Sequence, residues 1–187
     1  MKMKNKKKKL YKVIANDSYK HSYYMAELNK TFTIFKSIQE IFYLIYSKNN
    51  SIINYDLNHY QILSEIKNAH NSVITNFRHC TDNALKRDLL LSVSKDDNTI
   101  KLWNITNLEC ILNLTNINTN GVLKSACFLT KPKKINILSS NFNSDGIPEP
   151  IKLYDISGRK ISEIKDKYNK YDNTYFIDTF YSKKKQP

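Results

Sequence analysis

His79 and Cys80 are adjacent, and His70 stands a little earlier in the chain; a metal ion is the first chemistry such a set suggests. A structural or catalytic metal centre needs three or four donors at short, regular spacings, which these residues lack, so no metal is expected. Catalytic motifs are missing as well. Glycine occurs only at positions 121, 146 and 158, which rules out a G-x-G-x-x-G turn and a phosphate-cradling P-loop. There is no G-x-S-x-G elbow and no H-E-x-x-H helix. Neither a cofactor nor an enzymatic activity is expected.

The residues around these positions belong to strands. Ser92–Asn104, SVSKDDNTIKLWN, reads as strand, tight turn, strand. Leu89, Leu90, Leu91 and Val93 form an apolar run, and Thr99–Trp103 a second β-prone run. Between them Lys95-Asp96-Asp97-Asn98 supplies turn chemistry, because Asp and Asn bond their own backbone and tolerate left-handed conformations. Strands joined by so few residues run antiparallel.

The second strand of this pair recurs. Ser51–Asp56 precedes it by 48 residues, aligned on Tyr55 and Trp103, and Pro150–Asp155 follows by 51, aligned on Trp103 and Tyr154. Each copy has Ile second, an aromatic fifth, and Asp or Asn sixth. The sequel repeats too: Ile62–Lys67 resembles Lys160–Lys165, with Cys110–Leu114 between. Three copies of one unit make a repeat protein. Tyr55, Trp103 and Tyr154 are read as core because they recur with the unit.

Ala69-His70, a β-rich stretch, and then Asp97-x-Thr99-Ile100-Lys101-Leu102-Trp103-Asn104 resemble a WD-repeat unit of the β-transducin-like family. Such units usually open with Gly-His and close with Trp-Asp, so both dipeptides differ here. The outer two units keep only Tyr55-Asp56 and Tyr154-Asp155, without a corresponding His. The resemblance implies a β-propeller whose four-stranded blades each carry a buried network of His, Asp, a strand hydroxyl and Trp. Carried over, that network is His70, Asp97, Ser92 or Ser94, and Trp103. Kelch-type propellers have a similar period, but their Gly-Gly pairs are absent.

The expected fold is therefore all-β: a partial or open propeller of about three four-stranded antiparallel blades, with extra strands at the ends. The units run over about 30–67, 69–115 and 120–165 within a propeller segment at 13–181. In the first, strands are expected at Thr31–Lys36, Ile41–Ser47, Ile52–Asp56 and Gln61–Ile66. The second has Val73–Phe77, a polar excursion at Thr81–Asp88, and then Leu89–Ser94. The third has Val122–Leu129, Ile135–Ser140, Ile151–Asp155 and Lys160–Ile164. Leu10–Leu28 reads as an outer strand or short helix, and Thr174–Tyr181 as the innermost strand of a fourth blade. A seven-bladed ring would need roughly 340 residues. This chain has 187: a strained four-bladed ring is conceivable if Leu10–Leu28 and Thr174–Tyr181 join, but an open arc is the expectation, and its exposed sheet faces call for a partner.

The formal net charge is +13. Residues 1–12 hold seven lysines without an acid, and Lys183–Lys185 add three more, leaving about +3 for the middle. The arm at 1–12 is accordingly read as basic and disordered, and 182–187 as a basic tail. Twenty-seven lysines and 23 asparagines against three arginines suit A/T-rich codons, which weakens the functional meaning of the charge. Cys110 and Cys127 lie in β-like runs and read as buried thiols in a reducing, intracellular compartment, cytoplasmic or nuclear. Thr31–Ser47 is cut by Lys36, Gln39 and Glu40 and cannot span a bilayer.

The function these features support is a non-enzymatic scaffold for protein–protein contacts, with a second copy or another propeller among the partners. The family resemblance implies docking on the rim formed by Lys48–Asn50, Lys95–Asn98, Asn141–Glu149, Thr115–Asn120 and Asp166–Asp172. Within it, Asn141, Asn143, Asp145 and Glu149 are the candidate docking loop, since loops carry binding more often than strands. The alternative is a nucleic-acid or ribonucleoprotein-associated component using the lysine arms.

Overall fold

The computed structural model describes residues 31–115, 121–131 and 134–164. The expectations for 1–12, Leu10–Leu28, 116–120, 166–172, Thr174–Tyr181 and 182–187 fall outside those residues. Within them the chain is all-β, a partial, open β-propeller of three four-stranded antiparallel sheets. The first blade holds β1 (Phe32–Lys36), β2 (Phe42–Lys48), β3 (Ser51–Asp56) and β4 (Gln61–Ile66). The second holds β5 (Ile74–Asp82), β6 (Arg87–Ser94), β7 (Thr99–Asn104) and β8 (Glu109–Leu114). The third holds β9 (Gly121–Lys131), β10 (Lys134–Asn143), β11 (Ile151–Asp155) and β12 (Lys160–Ile164).

Within each blade the strands pair in sequence order, as short connections demand. The first strands form the innermost edge: β1 lies against β5, and β5 against β9. All three sheets share one register slip between their third and fourth strands, between Asn54 and Tyr55, Leu102 and Trp103, and Leu153 and Tyr154. There the outer strand carries one extra residue, Leu63, Ile111 or Ile161. The sixth-position Asp or Asn then caps the following turn. Asp56 Oδ1 accepts from Asn58 N, Asn104 Oδ1 from Thr106 N, and Asp155 Oδ1 from Ser157 N, at 2.6, 3.1 and 3.0 Å.

Two apolar cores fill the joints between blades. Phe35, Ile45 and Ile52 of the first blade meet Ile74, Phe77, Leu90 and Trp103 of the second. Leu89, Leu91, Val93, Ile100 and Leu102 of the second meet Leu123, Ala126, Phe128, Ile137 and Tyr154 of the third. In both joints the face bearing the fifth-position aromatic lies on the face bearing the second-position Ile of the preceding blade. Such alternation of apolar faces is what a strand covered on both sides requires.

Several expectations need correction. Thr81–Asp88 is not an excursion: β5 runs on through Asp82, β6 starts at Arg87, and only residues 83–86 turn. The acids fit in strands because they are paired, Asp82 Oδ2 with Arg87 Nε at 3.0 Å and Asp88 Oδ1 with His79 Nε2 at 2.8 Å. Asn141 is not in a loop, because β10 extends through Asn143 opposite Gly121 and buries Asn141 almost completely. Cys110 is exposed on the outermost strand, whereas Cys127 is buried. Tyr55 is only half-buried, since among the described residues no blade lies against its face.

Candidate functional site: a buried network beneath the rim

His70 lies in the connection from β4 to β5, where the chain enters the second blade, and its side chain is fully buried. A buried imidazole must find partners for both nitrogens. Nδ1 is 2.7 Å from Thr99 Oγ1, and Nε2 is 2.7 Å from Ser92 Oγ. The direction of each bond follows from the ends of the chain. An indole N–H can only donate, so Trp103 Nε1 donates to Ser92 Oγ at 2.8 Å. An ionised carboxylate can only accept, so the Thr99 hydroxyl donates to Asp97 Oδ1 at 2.7 Å. Thr99 Oγ1 therefore accepts from His70 Nδ1–H, and the bare Nε2 accepts from the Ser92 hydroxyl. One unbroken relay runs from indole to carboxylate through a neutral ring.

The electrostatics agree with that tautomer. Burial drives the His70 pKa down to about 4, aided by Lys101 and opposed by Asp97. Burial pushes Asp97 upward, but the Thr99 and Ser94 hydroxyls, the Asn71 amide and His70 outweigh it, so its carboxyl stays below the usual range. Lys101 Nζ donates to Ala69 O at 2.6 Å and stands 5.9 Å from the Trp103 ring centroid. Of the two candidate strand hydroxyls, Ser92 joins ring and indole. Ser94, also buried, stands near Asp97 without a hydrogen bond of proper geometry.

The relay ties down the rim above it. Asp97 Oδ2 accepts from Asn71 N at 2.9 Å, and Ser72 Oγ donates to Asp96 Oδ2 at 3.1 Å. Asn98 clamps the next blade: its Nδ2 donates to Gly121 O, and its Oδ1 accepts from Leu123 N, both at 2.8 Å. Asn50 holds the same place in the first blade, donating to His70 O at 2.9 Å while its own carbonyl accepts from His70 N at 3.1 Å. Sequence reading missed this pair, although its 48-residue spacing was the visible signal. It also passed over Thr99, which shares the first repeat position with Ser51.

The candidate docking loop separates into unlike parts. Asn143 is occupied by its own turn, its Oδ1 accepting from Asp145 N and Ile147 N at 3.0 and 2.8 Å. Asp145 is exposed. Glu149 pairs with Lys152 at 3.2 Å. Between them Ile147 is exposed. Val73, just before β5, and Val122, near the start of β9, are exposed at the same end of the sheets.

The outer blades hold only part of the network. In the third, Tyr154 and Ser139 take the places of Trp103 and Ser92; burial pushes the Tyr154 hydroxyl up and Ser139 pulls it back. In the first, Tyr46 fills the place of Ser92. Among the described residues no three His, Cys, Asp or Glu side chains converge as metal ligands. Burial also pushes the Cys80 thiol up to about 11.

No family model and no curated protein matches the chain. Among solved structures it is similar to a chain in "Structure of ctPRC2 in complex with H3K27me3 and H3K27M", with a TM-score of 0.45 and 12% identity. The match covers 68% of this chain and 26% of that one, so this chain spans well under half of the other's length. Among the described residues no helix is long and apolar enough to cross a membrane.

Proposed function

We propose that this chain is a WD-repeat-like propeller segment that acts, without catalysing a reaction, as an intracellular platform for protein–protein contacts. The observation that carries this reading is the composition of the rim. Val73, Val122 and Ile147 are exposed there, beside the polar turn residues Asn71, Asp96 and Asp145. Apolar anchors in a polar surround are the anatomy of a protein interface. The backbone beside Val73 and Val122 is held by the His70 relay and the Asn98 clamp, and the Ile147 turn by Asn143, so little ordering entropy opposes docking. Support for a non-enzymatic role comes from the same relay: His70, Ser92 and Asp97 are engaged with one another, below the surface.

Affinity capture from cell extract, followed by mass spectrometry, tests this. A variant combining Val73→Lys, Val122→Lys and Ile147→Lys loses the protein partner that the wild-type chain retains. Deleting residues 1–9 and 183–187 leaves that partner bound. If the deletion instead abolishes binding, together with a steep salt dependence, the lysine arms are engaging nucleic acid and the platform reading fails.

A further inference from the structure

Phe32, Phe77 and Ala126 occupy one position of the repeat, opposite Tyr46, Ser92 and Ser139 on the second strand of each blade. Phe77 and Ala126 are 1% and 0% exposed, yet Phe32 is 39% exposed. Two residues on, Ile34 is 37% exposed where Phe128, its counterpart in the third blade, is 5%. The difference lies in what precedes each blade. A described blade covers the second and the third; none covers the first. At the other end of the stack, Ile151 and Leu153 are half-buried, whereas Ile100 and Leu102, at the same positions of the second blade, are buried.

A stack of this kind leaves two different faces over, and they are the two halves of the joint already formed twice inside the chain. One bears the fifth-position aromatic with Phe32 and Ile34; the other bears the second-position Ile with Leu153. We propose that two copies of this chain join head to tail, the third blade of each lying on the first blade of the other. The contact is heterologous, so it closes into a pair when each chain turns through half of the ring, and a two-fold axis then relates the two identical joints. Two copies of the three described sheets give a ring of six, within the four to eight blades that closed propellers use. This inference rests on the propeller architecture and is separate from the rim's choice of partner.

Light scattering on the full chain reads the outcome, with an expected mass twice 22.0 kDa. Phe32→Glu on one face and Leu153→Lys on the other each reduce that mass to the single-chain value, while circular dichroism keeps its β signature. Mixing the two variants restores the pair, because one of its joints is then wild type on both sides. If Phe32→Glu fails to fold, Ile34→Lys takes its place. A wild-type chain that is monomeric, a polydisperse series, or a pair that only the first-blade variant dissociates overturns the proposal. None of these results alters what Val73, Val122 and Ile147 capture, so failure here and failure of the rim reading are told apart.

Discussion

Phe35 and His79 lie face to face across the joint between the first and second blades, ring centroids 3.6 Å apart and planes 7° from parallel. The stack is held from behind by Asp88. Its Oδ1 accepts from His79 Nε2, and its Oδ2 accepts from Ile38 N in the first blade at 2.9 Å. One buried carboxylate thus bonds groups of both blades.

Asp88→Ala is expected to cost about 3 kcal/mol, because it strands the Ile38 amide and the His79 ring donor in a buried joint. Asp88→Asn, which keeps one acceptor oxygen, costs less. Urea unfolding midpoints at neutral pH give both values.

Ser92→Ala leaves the Trp103 indole without an acceptor and His70 Nε2 without a donor, for an expected loss of about 3 kcal/mol. Ser94→Ala, on the same strand, costs under about 1 kcal/mol, because Ser94 joins neither ring to a partner. A larger effect at Ser94 than at Ser92 contradicts the relay.

Acid weakens the fold through His70. An imidazole in water titrates near 6.5, and burial brings His70 down to about 4. Above 6.5 neither the folded nor the unfolded ring carries the proton, and the full stability is present. As pH falls from 6.5 toward 4, the unfolded chain takes up a proton that the folded chain refuses, so stability drops by about 3 kcal/mol. His79, also lowered by burial against the opposing pull of Asp88, adds loss of the same sign. Denaturation at stepped pH shows the slope, and His70→Gln flattens it while lowering stability at pH 7.

Gly158 and Gly146 both have positive φ, 88° and 75°, but their surroundings differ. A Cβ at Gly158 would come 2.8 Å from Leu112 Cδ1 and 3.1 Å from Leu114 Cδ2, whereas one at Gly146 meets nothing within 4 Å. Gly146→Ala is expected to cost about 1 kcal/mol from the backbone alone, and Gly158→Ala about 2 kcal/mol. Thermal melts of the two variants separate conformational strain from contact across the second joint.

Much of the architecture was legible because period-two apolar patterning and turn residues are local signals. Gln61–Ile66 and Thr99–Asn104 are strands within the very residues that patterning assigns to them. What escaped was pairing. Asp82 and Asp88 look like loop residues in isolation, and become strand residues only because Arg87 and His79 lie across the hairpin. The same holds for Asn141, whose polarity suggests a surface loop although the ladder with β9 carries it inside. Family resemblance named His70, Ser92, Asp97 and Trp103, but the choice between Ser92 and Ser94 needed coordinates, since both are buried on one strand.

The bulge ahead of Tyr55, Trp103 and Tyr154 also bears on how such a chain is assembled. Strand pairs that alternate buried and exposed residues can slide by two residues, a shift that keeps every side chain on its proper side. An extra residue at one fixed level makes each slid arrangement a mismatch, so every blade finds its own alignment without reference to its neighbours. Copying a whole unit copies that alignment mark with it, which lets a chain of this type lengthen by duplication and still fold.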